Sequence, residues 1–197
     1  MVLTEKKIGL IGLTSVLTLI SALLIFGFIN GEFSFVNDFI SKLGAKGEPN
    51  ALWFNLFGFV LVGLLLIGFG LAYGKMLNDK LLSILLSLFG LGFALTAIPI
   101  DMEFSRTPVS KAHIVAICLG LASWMFGLSR LGYNRQLKRS VRIRANITAT
   151  ILMLSMAGFA LELWSMPIAH RLVFGIVFGW TAVTSIELIG KPKAVAN

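Results

Sequence analysis

From Leu52 to Tyr73 the chain carries no charged side chain. A helix needs roughly 20 apolar residues to cross the hydrocarbon core of a bilayer, and an uncharged run of that length has no ready place on a soluble surface. Five further stretches share the pattern, from about Ile8 to Ile29, Leu81 to Ile100, Ala112 to Leu128, Ala145 to Met166 and Ile168 to Ile189. The fifth contains Glu162, and the sixth carries Glu187 near its end. The expected fold is all-α: a polytopic membrane protein built as a six-transmembrane-helix bundle, one domain over residues 1–197. Composition agrees, since 57% of residues are hydrophobic and 13% charged. Soluble domains are nearer half apolar and a quarter charged.

The breaks between spans carry recognisable signals. Glu48-Pro49-Asn50 precedes the second, and Asn78-Asp79-Lys80 separates the second from the third. Pro108 and Ser110 precede the fourth, with Ser110 read as its N-cap. A basic run from Arg135 to Arg144 precedes the fifth, and Met166-Pro167 makes the turn into the sixth. The first stretch is too long for a signal peptide, and Phe28-Ile29-Asn30-Gly31 is a poor cleavage site, so it reads as a retained span.

Lysine and arginine set the orientation, because they accumulate on the cytoplasmic side of short loops. With both termini cytoplasmic, the inner segments hold twelve of the 17 basic residues and the outer segments hold Lys42, Lys46, Arg106, Lys111 and Arg171. The expected location is the cell membrane. The net charge of +8 then reads as a topology anchor that also attracts anionic inner-leaflet lipid. A nucleic-acid partner is not expected, since no stacking aromatics sit among those charges. The single cysteine, Cys118, excludes an internal disulfide and cysteine-based zinc or iron–sulfur clusters.

The outer segment after the first span is too polar to cross. Phe33, Val36, Phe39, Ile40 and Leu43 recur at helical spacing, with Asn37, Asp38 and Ser41 between them. Residues 33–43 therefore read as an amphipathic helix, either a connector packed on the helix ends or a lid over an outward-facing pocket.

The polar residues gather on that side. Ser41 and Asn55 lie at the connector and the start of the second span, and Asp101 ends the third. His113 and His170, the only histidines, open the fourth and sixth, while Glu162 sits a little over a turn before the outer end of the fifth. A histidine in the first turn of a helix faces the positive end of the dipole, which favours the neutral ring that binds metals or acts as a base. Asp101 at a helix C-terminus wants a partner, for which His113, Arg106, Arg171 or a metal would serve. Glu162 within the bilayer requires pairing, and His170 or Arg171 could supply it. Asp101, His113 and His170 are accordingly the candidate catalytic residues, and Ser41, Asn55, Glu162 and Arg171 the candidate binding residues. Two histidines and a carboxylate suffice for a zinc site with an open position, so His113, His170 and Asp101 are also candidate metal ligands. No HExxH motif demands it, and structural hydrogen bonding among these residues is the alternative. A heme held by His113 and His170 ranks below zinc.

Other motifs carry less. Gly175-Ile-Val-Phe-Gly179 permits close helix approach and reads as packing. Asn146-Ile-Thr148 matches a glycosylation acceptor but falls on the cytoplasmic side. Trp53 and Trp164 suit an outer aromatic belt.

Ser41-Lys-Leu-Gly44, Asn55 opening a span, Pro99-Ile-Asp101, His113, and His170-Arg171 before a Trp-containing last span together resemble the domain-of-unknown-function 998 family. The resemblance covers nearly the whole chain and implies a prokaryotic six-span membrane protein of unknown activity. More distantly, a Ser, an Asp and scattered histidines at one membrane face resemble the CREST superfamily of zinc-dependent lipid amide hydrolases. That superfamily has seven spans and an HxxxH pair in the last one, which this chain lacks.

The leading functional expectation is an outward-facing polar pocket for a membrane lipid or another amphiphile, with metal-dependent lipid hydrolysis as a sharper form of it. A non-catalytic subunit or scaffold with a membrane-protein partner is the alternative. A transporter is disfavoured, because the inner half lacks the internal charges of a polar path.

Overall fold

The computed structural model describes residues 3–101 and 107–190. Among these are six long helices: α1 (Glu5–Ile29), α2 (Ala51–Met76), α3 (Lys80–Leu95), α4 (Pro108–Tyr133), α5 (Arg139–Ala160) and α6 (Met166–Gly190). Five of them are long and apolar enough to cross a membrane; α3, also apolar, is shorter at 16 residues. Arg106, Lys191 and Lys193, used above in the charge count, lie outside the described residues.

The helices start and stop where side chains satisfy their ends. Thr4 caps α1, its hydroxyl accepting from the Lys7 N–H. Asp79 caps α3 by accepting from the Leu82 N–H at 2.9 Å. Thr107, not Ser110, caps α4: its hydroxyl accepts from the Ser110 N–H, and Pro108 takes the first helical position, where a missing N–H costs nothing. The third element ends at Leu95, earlier than expected. The Thr96 hydroxyl turns back to the Phe93 carbonyl, and Pro99 disfavours helical backbone at Ile98. Asp101 therefore follows an irregular segment instead of closing a helix.

Consecutive helices pack as antiparallel neighbours, and α6 returns to pack on α1, closing a ring. The ends of α1 and α6 nearest the termini share one end of the ring with the Arg139–Arg144 turns. The connector 31–50 covers the other end. In a bilayer, apolar helices gain little by leaving lipid, so close packing must hold them together. Glycines supply it on the α2–α3 seam. A Cβ at Gly63 would come within 2.6 Å of the Ala94 nitrogen, and one at Gly74 within 2.4 Å of the Ser83 nitrogen. Down the centre of the ring runs an aromatic column: Tyr73 stacks on Phe69, Trp180 meets Trp124 edge-on at 5.8 Å, and Phe93 contacts Phe178 at 5.4 Å. By contrast, nothing among the described residues lies within 4 Å of a Cβ at Gly175 or Gly179, so the pair packs against none of them, contrary to its reading as a packing motif.

Ion pairs lock the basic end. Arg130 donates to both Asp79 carboxylate oxygens, at 2.7 and 2.6 Å, and Arg144 pairs with Glu187.

The connector is not the amphipathic α-helix expected over 33–43. It is a run of turns ending in a short 3-10 helix, Ile40–Gly44. Local polar groups compete with helix formation: the Ser34 N–H donates to the Asp38 carboxylate, and the Asn37 N–H donates to the Ser34 hydroxyl. Phe33, Ile40 and Leu43 are buried against the bundle; of the apolar set only Val36 is strongly exposed.

Candidate functional site

Under the connector lies a cavity of about 550 Å³. Its body is apolar. Phe89 and Phe93 come from α3, Ile114, Ile117 and Leu121 from α4, Met156 and Phe159 from α5, and Val173, Phe174, Val177 and Phe178 from α6. Its polar groups are Ser41, Asp101, Ser110, His113 and His170, all at the connector end. Along α6 the lining runs from Met166 to Phe178, a depth of roughly 18 Å at 1.5 Å per residue. Ile114, Cys118, Met156 and Met166 line the cavity and are also exposed, so it reaches the bundle surface along α4, α5 and the start of α6.

Four of the residues singled out in the sequence meet here: Ser41, Asp101, His113 and His170. His113 is buried, and its Nδ1 lies 3.0 Å from the Ile98 carbonyl. A carbonyl only accepts, so Nδ1 carries a proton and donates it to Ile98. The Ile98 carbonyl is available because the helix has already ended. His170 Nδ1 is buried with no protein partner among the described residues, and the ring packs on Phe174 at 4.6 Å and edge-on to Phe39 at 6.0 Å. The Asp101 N–H donates to the Ser110 hydroxyl oxygen, and its carboxylate lies 3.9 Å from Lys46 Nζ. Arg106, expected as a partner of Asp101, is outside the described residues.

The other three do not line the cavity. Asn55 is buried, and its Nδ2 donates to the Gly44 carbonyl at 2.9 Å and holds the connector on α2. Glu162 is exposed and follows α5 in a left-handed turn, φ 59°, instead of lying inside the span. The helix stops at Ala160 because its last turn closes there, with the Leu163 N–H donating to the Gly158 carbonyl. Arg171 points at the connector. Its Nε donates to the Phe35 carbonyl at 2.5 Å, Nη1 to Pro167 at 2.8 Å, and Nη2 to Asp38 at 2.6 Å and Ser34 at 3.3 Å. The Phe35 and Asp38 carbonyls are ones a helix over 33–43 would have used internally. The connector is tied further by the Lys46 N–H to the Ile100 carbonyl and by the Asn30 amide to Glu48.

Outside the spans, Asp38 and Lys42 form an ion pair at 2.9 Å. Burial pushes the Asp38 carboxyl up, but the Ser34 N–H and the Lys42 ammonium outweigh it and hold it below its usual value. The Asp38 hydrogen bond holds the Lys42 ammonium above its own, against its partial burial.

The expected zinc set does not assemble. Among the described residues no three of His, Cys, Asp and Glu are grouped closely enough to hold a metal ion. Asp101 and the two histidines line the same cavity without forming such a group. Sequence reasoning missed Ser110 as a lining residue, having assigned it to the helix cap. It also missed every apolar wall residue, because in a chain of apolar spans nothing marks the wall apart from the lipid-facing surface.

A ring of apolar helices around an apolar cavity with a polar end defines the class: a membrane-type helical bundle. The match to a family profile, described as protein of unknown function (DUF998), extends over residues 13–187, and the chain belongs to that family. No curated protein and no solved structure matches it.

Proposed function

We propose that this protein is a six-span integral membrane protein whose cavity binds a lipid or other amphiphile with a single long apolar chain. The observation that carries the reading is the cavity itself, about 550 Å³ with polar groups confined to one end. Sites of that size enclose most of a small ligand. A hydrocarbon chain laid along α6 would be matched by Val173, Val177 and Phe178, with its head at His113, His170 and Asp101. The sixth span is α3 with the segment that follows it. Sixteen helical residues reach roughly 24 Å, and an extended chain adds about 3.3 Å per residue. The lysine and arginine distribution supports cytoplasmic termini and a connector facing away from the cytoplasm.

The test is binding of a long-chain monoacyl amphiphile to purified protein, read by tryptophan fluorescence. Trp124 stands 6.2 Å from Phe89 of the cavity wall. Saturable binding that Val173→Trp removes, with the fold retained, is expected. Binding unaffected by that bulk would overturn the reading.

A second reading, a subunit of a larger membrane complex, draws on Gly175 and Gly179, whose open face on α6 leaves room for a partner helix. A stoichiometric partner retained through purification in mild detergent would support it, and a monomer would count against it.

A further inference from the structure

A chain bound in this cavity has to enter it either past the connector or through the wall. The geometry points to the wall. Given the amphiphile reading above, the ligand is a lipid already dissolved in the bilayer, and it passes sideways between α4 and α5 at Ile114, Cys118 and Met156.

The connector end is closed by polar bonds. Arg171 donates to the Phe35 and Asp38 carbonyls, Asn55 to the Gly44 carbonyl, and the Lys46 N–H to the Ile100 carbonyl. Phe33, Ile40 and Leu43 are buried beneath it. Lifting the connector breaks charge-assisted bonds and uncovers those side chains. The side of the bundle is different. Ile114 and Cys118 on α4 and Met156 on α5 line the cavity and are also exposed. Cys118 stands ten residues beyond Pro108, roughly 15 Å along a helix about 39 Å long, so the mouth opens at the depth of lipid chains.

α5 is held so that one half of it can move. At its basic end Arg144 pairs with Glu187 of α6, the Arg142 Nε donates to the Gly132 carbonyl at 3.4 Å, and Asn146 occupies the space a Cβ at Gly132 would need. Among the described residues, no hydrogen bond or ion pair joins the stretch from Thr150 to Ala160 to α4 or α6. Trp164, in the turn that follows, packs on Gly158 and keeps this end of α5 with α6, which leaves the α4 side to open. α5 is also the least buried of the five longer helices. Parting it from α4 exchanges apolar contacts with protein for apolar contacts with lipid, which costs little because lipid tails are as apolar as leucine. Met156, at the mouth, is unbranched and adapts its shape to a passing chain.

Cys118 is the chain's only cysteine, so a nitroxide maleimide attached to the folded protein both reports on the mouth and narrows it. In phosphatidylcholine vesicles the nitroxide should collide with oxygen more often than with a water-soluble nickel chelate. The reverse would put water at the mouth and overturn the inference. Entry is timed by mixing the full-length protein rapidly with hexadecanol and following tryptophan fluorescence. A steroid-glycoside detergent serves here, since it has no acyl chain to compete. The label on Cys118 and, separately, Met156→Trp should each slow association and dissociation together by on the order of tenfold, with Kd within a few-fold, because a narrowed passage delays both directions alike. Arg171→Ala loosens the connector without touching the cavity lining, and its association rate should stay within a few-fold of the parent. Association unchanged by both obstructions would overturn the inference, and so would association accelerated by on the order of tenfold or more in Arg171→Ala. An unmodified protein that fails to bind hexadecanol saturably would instead overturn the amphiphile reading on which the inference rests.

Discussion

Removing the Arg171 guanidinium should free the connector. Arg171→Ala deletes two short charge-assisted bonds to the connector, to the Phe35 carbonyl at 2.5 Å and the Asp38 carbonyl at 2.6 Å. The 3.3 Å contact to Ser34 adds little, and the bond to Pro167 is internal to α6. Hydrogen bonds to charged groups contribute about 1.5–3 kcal/mol each. Two of them give about 3 kcal/mol at the low end, appropriate because the freed carbonyls can reach water when the connector lifts. That raises the open population by on the order of 100-fold, at 1.4 kcal/mol per factor of ten. Trypsin reads this population directly. Its cleavage bond after Lys42 leads into Leu43, which is 1% exposed, and the Lys42 side chain is held by Asp38. Cleavage there requires the connector to open, and when closing is fast the rate follows the open fraction. Cutting after Lys42 should therefore accelerate by on the order of 100-fold in Arg171→Ala. A rate within a few-fold of the parent would refute the assignment of Arg171 as the connector's anchor.

Asp79→Ala removes both the α3 cap and the partner of Arg130, and should cost about 2–4 kcal/mol in denaturant unfolding. A cycle with Arg130→Ala should show strong coupling between the two positions. Gly74→Ala drives a methyl into the Ser83 backbone and should cost about 1–3 kcal/mol, while Gly175→Ala, with open space around it, should leave thermal stability unchanged. The connector should also be pH-sensitive. Asp38 titrates below its usual 3.8 in the folded protein, so its contribution is present above that value and is lost as pH falls through the lower folded one. Lys42 titrates above 10.5, so its contribution is present below that value and is lost as pH rises through the higher folded one. Amide exchange in the connector, corrected for its intrinsic pH dependence, should show flat protection through the neutral range and a loss at the acid extreme.

The apolar segments were legible because a bilayer demands uninterrupted apolar length, and no soluble alternative produces the run from Leu52 to Tyr73. Their ends were less so. Ends depend on single hydrogen bonds, such as Thr107 taking the cap that Ser110 seemed to offer. The connector was misread for a different reason. Its phenylalanines and isoleucines do recur at helical spacing, but the residue that takes its carbonyls, Arg171, lies more than 130 positions away. No local pattern encodes that. At the site, Asp101, His113, His170 and Ser41 were found because polar residues are rare in such a chain and therefore conspicuous. Glu162 was conspicuous for the same reason and does not line the cavity. Rarity marks a residue for attention without saying which way it faces.

The closure of the ring through α6 has a consequence for how the protein is made. The connector follows α1 and emerges from synthesis well before α6, which carries the arginine that fastens it. Until α6 is in place, Ser34, Phe35 and Asp38 have no guanidinium to receive, α1 lacks the neighbour that meets Gly9 and Gly12, and one wall of the cavity is missing. A chain interrupted before α6 would thus present a loose connector to any protease on that face. Seating of the connector marks a chain in which α6 has joined α1.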